Sequence, residues 1–412
     1  MMQKLHWNLT EKILFRFSFI YFLLYCLPFP LNRIPLLNKL GNVYVHFKEE
    51  FVSLFSNLFF SREITNVLNG SGDTSFDYLS VFVLLGVSVI IAILWSIMDR
   101  KRPSYNTLFT WQHVYLRFYL ALVLFGYGIT KLFINQFSEL SLLDLIKTYG
   151  ESTPMGLAWN FMEYSDSYTF FSGLMETIAG LLLCFRKTTK LGAICSFGVM
   201  LNVFMMNMSF DIPVKLYSGH LMIISLYLLI PYSKQLLQFF ILNKPTTAPA
   251  ILPYFKKKWV NITTISFKFL ALIIILYSTF DSGSYSRKTY GKDAPKPVLY
   301  GIYDLINDTE DSTQDHSWNK LVIDKYYTIV IDPENKKKNY RTTIDTTDHA
   351  IYLKDYYSTD SLQFRYTIKD SILQFTGIDN DSLRLRFRQF DHNSMPLLKT
   401  GFNWINEYPN NR

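Results

Sequence analysis

The sequence predicts a multi-span α-helical membrane protein of about seven transmembrane helices, followed by a C-terminal all-β domain, an antiparallel sheet or small barrel. Three observations carry this. Leu79–Met98 and Leu191–Phe210 are uncharged runs of twenty residues, the length a helix needs to cross a hydrocarbon layer that offers no partner to a bare peptide group. Positive charge is unevenly spread: residues 281–412 hold 18 Lys/Arg against 19 Asp/Glu, leaving 23 against 14 for residues 1–280. From about Pro297 the apolar pattern changes to period two, as in strands buried on one side. A chain 49% hydrophobic and 18% charged excludes disorder, collagen and coiled coil. A mean hydropathy of +0.11 suits a mixture of lipid-embedded and soluble parts.

Five weaker segments join the two strong spans: Ile13–Phe29, Val114–Phe133, Tyr168–Phe185, Leu216–Tyr232 and Ile262–Phe280. Ile13–Phe29 is short, carries Arg16 and ends in Pro28 and Pro30. Alternate loops (Met1–Arg16, Asp99–His113, Arg186–Lys190, Ser233–Asn261) hold 14 Lys/Arg, and the opposite set (Pro30–Asp77, Ile134–Ser167, Asp211–Lys215) holds 6. The positive-inside rule then places the N-terminus in the cytoplasm and, after seven crossings, the tail outside. If Ile13–Phe29 lies only in the interface, the N-terminus moves outside and the tail stays there. No small-residue cleavage site follows the first apolar stretch, so it is not read as a signal peptide. The basic excess sits in the apolar part and no polar domain carries it, which argues against nucleic acid as a partner. Cys26, Cys184 and Cys195 lie in or near spans without a Cys-x-x-Cys pair, so thiol exchange by this chain alone is not expected.

In the tail, Ser382–Arg388 alternates strictly, with Leu and Phe on one face and Arg on the other. Tyr326–Ile331, Ala350–Lys354, Leu362–Ile368 and Ile372–Phe375 repeat the theme between Asp, Asn, Ser and Gly turns, and Ser282–Pro297 reads as a tether. Arg384, Arg386 and Arg388 read as a solvated outer face paired with nearby Asp, with an anion site as the alternative. His316 and His349 are isolated, and no spacing suggests a metal.

Within the spans, ionisable and amide groups are costly and tend to mark function. Tyr127, Lys131, Glu176, Asn202, Asn207 and His220, with Asp211 in the loop before the last of these, come from four helices yet all fall toward the outer side. Glu176 lies about 12 Å down from its outer end at the helical rise. Such a carboxylate needs a cation or a proton: Lys131 is the natural partner and His220 the alternative. One reading is a polar-headed pocket for an amphiphile such as a quinone or lipid. The other is a set of buried bonds that tie the bundle together. Arg117 and Lys268 lie near cytoplasmic ends and are read as snorkelling. The stretch Asn69–Thr74 permits a tight turn; as an anion nest it lacks the Lys and strand-to-helix context of a phosphate loop. Leu140–Tyr164 reads as a helix on the interface or capping the bundle.

Tyr115–Tyr232 resembles the DoxX-like family of bacterial membrane proteins. The likeness runs through Arg117, Gly126-Tyr127-Gly128, Lys131, Glu176–Leu183 and His220. Longer Bacteroidetes members similarly carry a Gly-Ser-Gly-Asp-Thr loop, a turn like Asp211–Ser218, and a tail ending like Gly401–Pro409. The resemblance implies a four-helix bundle at residues 114–236. A two-helix region with an outer loop (1–113) would precede it. A cytoplasmic loop with the last span (237–281), and the tether with a periplasmic β domain (282–412), would follow. It also implies a bacterial inner-membrane location and a quinone-linked role with a redox partner in the membrane or periplasm. The sequence holds no covalent cofactor motif. The alternative is a non-catalytic envelope scaffold whose β domain docks a partner.

Overall fold

The computed structural model describes residues 6–34, 37–61, 63–67, 69–246, 257–306, 318–378 and 383–409. The chain forms two compact units, Met1–Phe137 with Pro154–Ser286, and Ser138–Thr153 with Arg287–Arg412. His316 and Ser382 lie outside the described residues.

The first unit is helical: α1 (Leu9–Cys26), α2 (Asn38–Phe60), α3 (Ser75–Met98), α4 (Asn106–Leu132), then, past the short α5 (Leu142–Ile146) of the second unit, α6 (Pro154–Tyr164), α7 (Asp166–Cys184), α8 (Thr189–Ser209), α9 (Lys215–Leu229), α10 (Ser233–Phe240) and α11 (Lys258–Thr289). Among the described residues six helices are long and apolar enough to cross a membrane: α3, α4, α7, α8, α9 continued through α10, and α11. The expected seventh is α1. It is 18 residues long, holds Glu11, Lys12 and Arg16, and ends before Pro28, whose ring stops the helix. It is nonetheless packed into the bundle. Arg16, 2% exposed, donates from Nη1 to Ser96 Oγ (2.8 Å) and from Nη2 to the Asp99 carbonyl (2.8 Å) and Tyr105 Oη (2.7 Å). Tyr105 Oη in turn donates to Asp99 Oδ2 at 2.8 Å, so the buried guanidinium has acceptors on every side it presents.

Lipid gives helices no water to escape, so close packing and interhelical polar bonds hold the bundle. The tightest crossing is α4 on α7. A Cβ on Gly173 would stand 2.5 Å from the Gly128 carbonyl oxygen, and one on Gly128 would stand 2.8 Å from the Gly173 carbonyl oxygen. Leu116, Leu120, Leu124 and Phe125 of α4 meet Leu183 of α7 and Ile224 of α9 in the centre. The helix α11 has no buried residue and leans on α4 through Phe280 and Phe133 (rings 4.8 Å apart) and through Asn135 Nδ2, which donates to the Gly283 carbonyl at 2.8 Å. Its exposed Ile262, Phe267, Ile273 and Ile274 make sense only against acyl chains. The helix runs through Thr289, so half of the expected tether, from Ser282 onward, is helical.

The second unit is a closed eight-stranded barrel with strands in sequence order: β1 (Gly301–Leu305), β2 (Lys320–Ile323), β3 (Tyr327–Ile331), β4 (Lys337–Asp345), β5 (Ala350–Asp355), β6 (Ser361–Lys369), β7 (Ile372–Gly377) and β8 (Arg384–Phe390). All neighbours are antiparallel, and β8 closes on β1 with Arg388 opposite Asp304. Leu385 and Phe387 point inward beside Trp318, Phe364 and Phe375, while Arg384 and Arg388 are exposed, as the alternation predicts. The inside is filled by side chains.

Strands β1–β3 are buried on both faces because α5 covers their outer side. Leu142, 1% exposed, packs with Ile302, Val322, Ile329 and Ile331, and its amide donates to Asp324 Oδ2 at 3.1 Å. Lys325 Nζ reaches Glu139 at 2.6 Å and the Gly291 carbonyl at 3.0 Å. Leu140–Tyr164, expected as one helix on the interface or capping the bundle, is therefore divided: its first half is barrel wall and its second half, α6, belongs with the helices. The first half of the α4–α6 connection thus folds with the barrel.

Candidate functional site

Helices α1, α3, α4, α7, α8, α9 and α11 share an end from which the chain leaves for the second unit, called here the exit end. All seven predicted site residues lie toward it, but they fall into separate groups. Lys131 Nζ contacts both oxygens of Glu176 at 2.8 and 2.9 Å, with Glu176 only 1% exposed. This pair sits one turn from the Gly128–Gly173 crossing, so it ties α4 to α7 where their backbones are closest. His220 is not its partner. His220 Nδ1 lies 2.6 Å from the Leu216 carbonyl, which requires a proton there, and Nε2 lies 2.6 Å from Tyr21 Oη, which then donates to it. The imidazole stacks on Tyr25 at 4.0 Å.

Asn207 Nδ2 donates to Ser218 Oγ at 2.9 Å, joining α8 to α9. Asn202 is exposed on the surface of α8. Asp211 is exposed, sits at φ 51°, and pairs with Lys215 at 2.7 Å. The structure does not bring all of these to one cleft: of the seven, Tyr127 lines the cleft at this end.

That cleft has a volume of about 610 Å³. Tyr25 of α1, Tyr119 and Tyr127 of α4 and Tyr217 of α9 line it, together with Lys48 of α2, Asn66, Gly70–Gly72, Asp77 and Ser80. Lys131 approaches the Tyr127 ring at 5.6 Å, and Tyr127 and Tyr217 stand 6.4 Å apart. The loop before α3 is not an anion nest, because its amides are spent. Ser71 N donates to Asn69 Oδ1, Gly72 N to the Pro213 carbonyl, Asp73 N to Ser71 Oγ and Thr74 N to Asp77 Oδ2. Gly70, at φ 83°, is where the turn requires glycine.

The same loop has a different task. The Asp73 carboxylate accepts from the amides of Lys215 (2.7 Å) and Leu216 (2.9 Å), capping α9 from across the bundle. Thr74 and Asp77 form a capping box that starts α3. The two sequence segments singled out separately, the Gly-Ser-Gly-Asp-Thr loop and the turn at Asp211–Ser218, therefore fold on each other and build one rim of the cleft. Lys48, Ser80, Tyr25, Tyr119 and Tyr217 were not picked from the sequence. Tyrosines among many aromatic residues, and a lysine in an uncalled helix, carry no local pattern that marks them.

The DoxX family profile matches residues 113–207. The "Uncharacterized protein YwoB" of Bacillus subtilis (strain 168) is 35% identical over 113 residues, 27% of this chain and 71% of that protein. No solved structure matches the chain.

Proposed function

The chain belongs to the DoxX family of membrane proteins, and from that premise we propose that it binds an amphiphilic ligand, quinone-like or lipid, in the cleft at the exit end, as part of a redox-associated complex of the bacterial inner membrane. In this reading the exit end and the barrel are periplasmic, on the loop-charge argument given above. The observation that carries the proposal is the cleft itself: about 610 Å³, lined by four tyrosines together with Lys48, Asn66, Asp77 and Ser80. A ligand with an apolar body and a polar head matches that mixture, since ligand pockets characteristically combine apolar walls with few polar anchors. Tyr127 is the predicted site residue that stays in the site. Lys131 and Glu176 support it from behind by fixing α4 against α7, and His220 supports it by backing Tyr25.

Mass spectrometry of small molecules extracted from the purified full-length protein tests this. We expect one amphiphile at near-stoichiometric amount, reduced at least several-fold in Tyr217→Ala and Tyr25→Ala proteins that remain folded. Extraction of bulk lipid only, equal in all three, would sink the proposal.

A second reading is a non-catalytic scaffold whose barrel docks a partner. It draws on the C-terminal run, where Phe402, Trp404, Ile405 and Tyr408 are 70–91% exposed. Removing residues 401–412 would then abolish partner capture and leave the extracted amphiphile unchanged.

A further inference from the structure

Ser80 stands apart from two other serines of its helix. Ser88 and Ser96 bond back to the carbonyls of Leu84 and Ala92, each at 2.6 Å, the usual way a helix in lipid satisfies a hydroxyl. Ser80 is 6% exposed, lines the cleft, and its Oγ has no hydrogen-bond partner among the described residues. A buried hydroxyl left without a partner is costly, and it is the feature expected where a ligand completes the bond.

Lys48 lines the same cleft, Asp77, one turn before Ser80, acts on its ammonium, and among the described residues no hydrogen bond or ion pair holds it. The other polar groups nearby are engaged. Asp77 Oδ2 accepts from Thr74 N and Oγ1, Asn66 Nδ2 donates to Glu49, and Lys215 is paired with Asp73 and Asp211.

We propose that Lys48 and Ser80 form a headgroup subsite for a neutral, oxygen-headed amphiphile. Their ammonium and hydroxyl donate to its oxygens, while its body lies against Tyr119, Tyr127 and Tyr217. This deepens the cleft reading above and rests on it. Neutrality follows from the surroundings. Asp77 lines the cleft and Glu49 accepts from the cleft residue Asn66, so two carboxylates stand by the one lysine of the head region. A phosphate placed there meets net negative charge, whereas a carbonyl or hydroxyl oxygen takes both donors without that repulsion. Both residues precede the segment matched by the family profile, which makes the subsite a feature of this longer chain.

The test titrates the full-length protein in detergent with three probes of equal chain length, a dodecyl-substituted benzoquinone, 1-monolaurin and dodecyl phosphate, and reads binding by native mass spectrometry. Both neutral probes should bind more tightly than dodecyl phosphate. Ser80→Ala should weaken them roughly 5-fold and Lys48→Met roughly 10-fold or more, with Lys48→Arg retaining most of the affinity. Tighter binding of dodecyl phosphate overturns the proposal, whatever the variants do. Neutral probes that bind wild type and both truncated variants equally overturn the subsite and leave the cleft reading standing. Failure of all three probes to bind overturns both.

Discussion

A carboxylate 1% exposed inside a helix bundle must be paired, and Glu176 meets Lys131 through both oxygens beside the closest helix crossing. The pair is thus a tie between helices. Removing one partner strands a buried charge, a loss of about 3–5 kcal/mol, while replacing both by apolar groups is close to neutral. Glu176→Gln should therefore lower the thermal unfolding midpoint in detergent markedly, and Lys131→Met with Glu176→Leu should restore most of it. A Gln variant that unfolds like wild type yet loses its ligand would instead place Glu176 in the binding chemistry. Asp73 makes a second residue-scale case. Capping two amides of α9 is worth roughly 1–2 kcal/mol, so Asp73→Ala should cost that much stability, with Asp73→Asn costing less, in the same unfolding assay. Both side chains drew attention in the sequence, Glu176 for its place in a span and Asp73 as part of a glycine loop. Their partners lie 45 and 142 residues away, a separation that one sequence cannot join.

At the scale of elements, the spans were legible because lipid demands long uncharged helices, and the strands because a barrel wall alternates. What escaped were elements shaped by neighbours. The strand β4, Lys337–Asp345, is almost wholly polar, and only its pairing with β3 and β5 orders it. Strands β1 and β2 are short and carry apolar side chains on both faces, since α5 covers the outside. The helix α2 was hidden in a loop, since its apolar positions share the wheel with Lys48, Glu49 and Glu50. Replacing Leu142 by Asp should unseat α5 and expose β1–β3, seen as faster amide exchange in those strands than in β5–β7. The β4–β5 turn gives a pH prediction. The Asp345 carboxylate accepts the amides of Asp348 and Thr347, which hold it below its ordinary range. A carboxylate whose folded value is depressed contributes stability above its unfolded value, near 3.9, and loses it as pH falls through the folded one. Protection of the Thr347 and Asp348 amides, relative to their intrinsic exchange rates, should therefore fall below about pH 4, and Asp345→Asn should remove that dependence; an unchanged profile would discount the turn.

For the whole molecule, two independent arguments meet on topology. Loop charge, 14 against 6 Lys/Arg, is a property of residues that face water and says nothing about packing. The folding of Ser138–Thr153 with the barrel is a matter of packing and says nothing about charge: Leu142 sits among Ile302, Val322 and Ile329, and Glu139 pairs with Lys325. Both require the α4–α6 connection and the C-terminal unit to share a side, and in the proposed orientation that side is away from the cytoplasm. Single cysteines test the two parts separately. In a background with Cys26, Cys184 and Cys195 replaced, Tyr149→Cys and Tyr357→Cys, at positions 81% and 89% exposed, should react equally with a membrane-impermeant maleimide in intact spheroplasts. Lys187→Cys, between α7 and α8, should react only after lysis. Reversal of all three would keep the shared side and invert the orientation. Labelling of Tyr149→Cys without Tyr357→Cys would break the packing argument, because residues of one folded unit cannot straddle a bilayer.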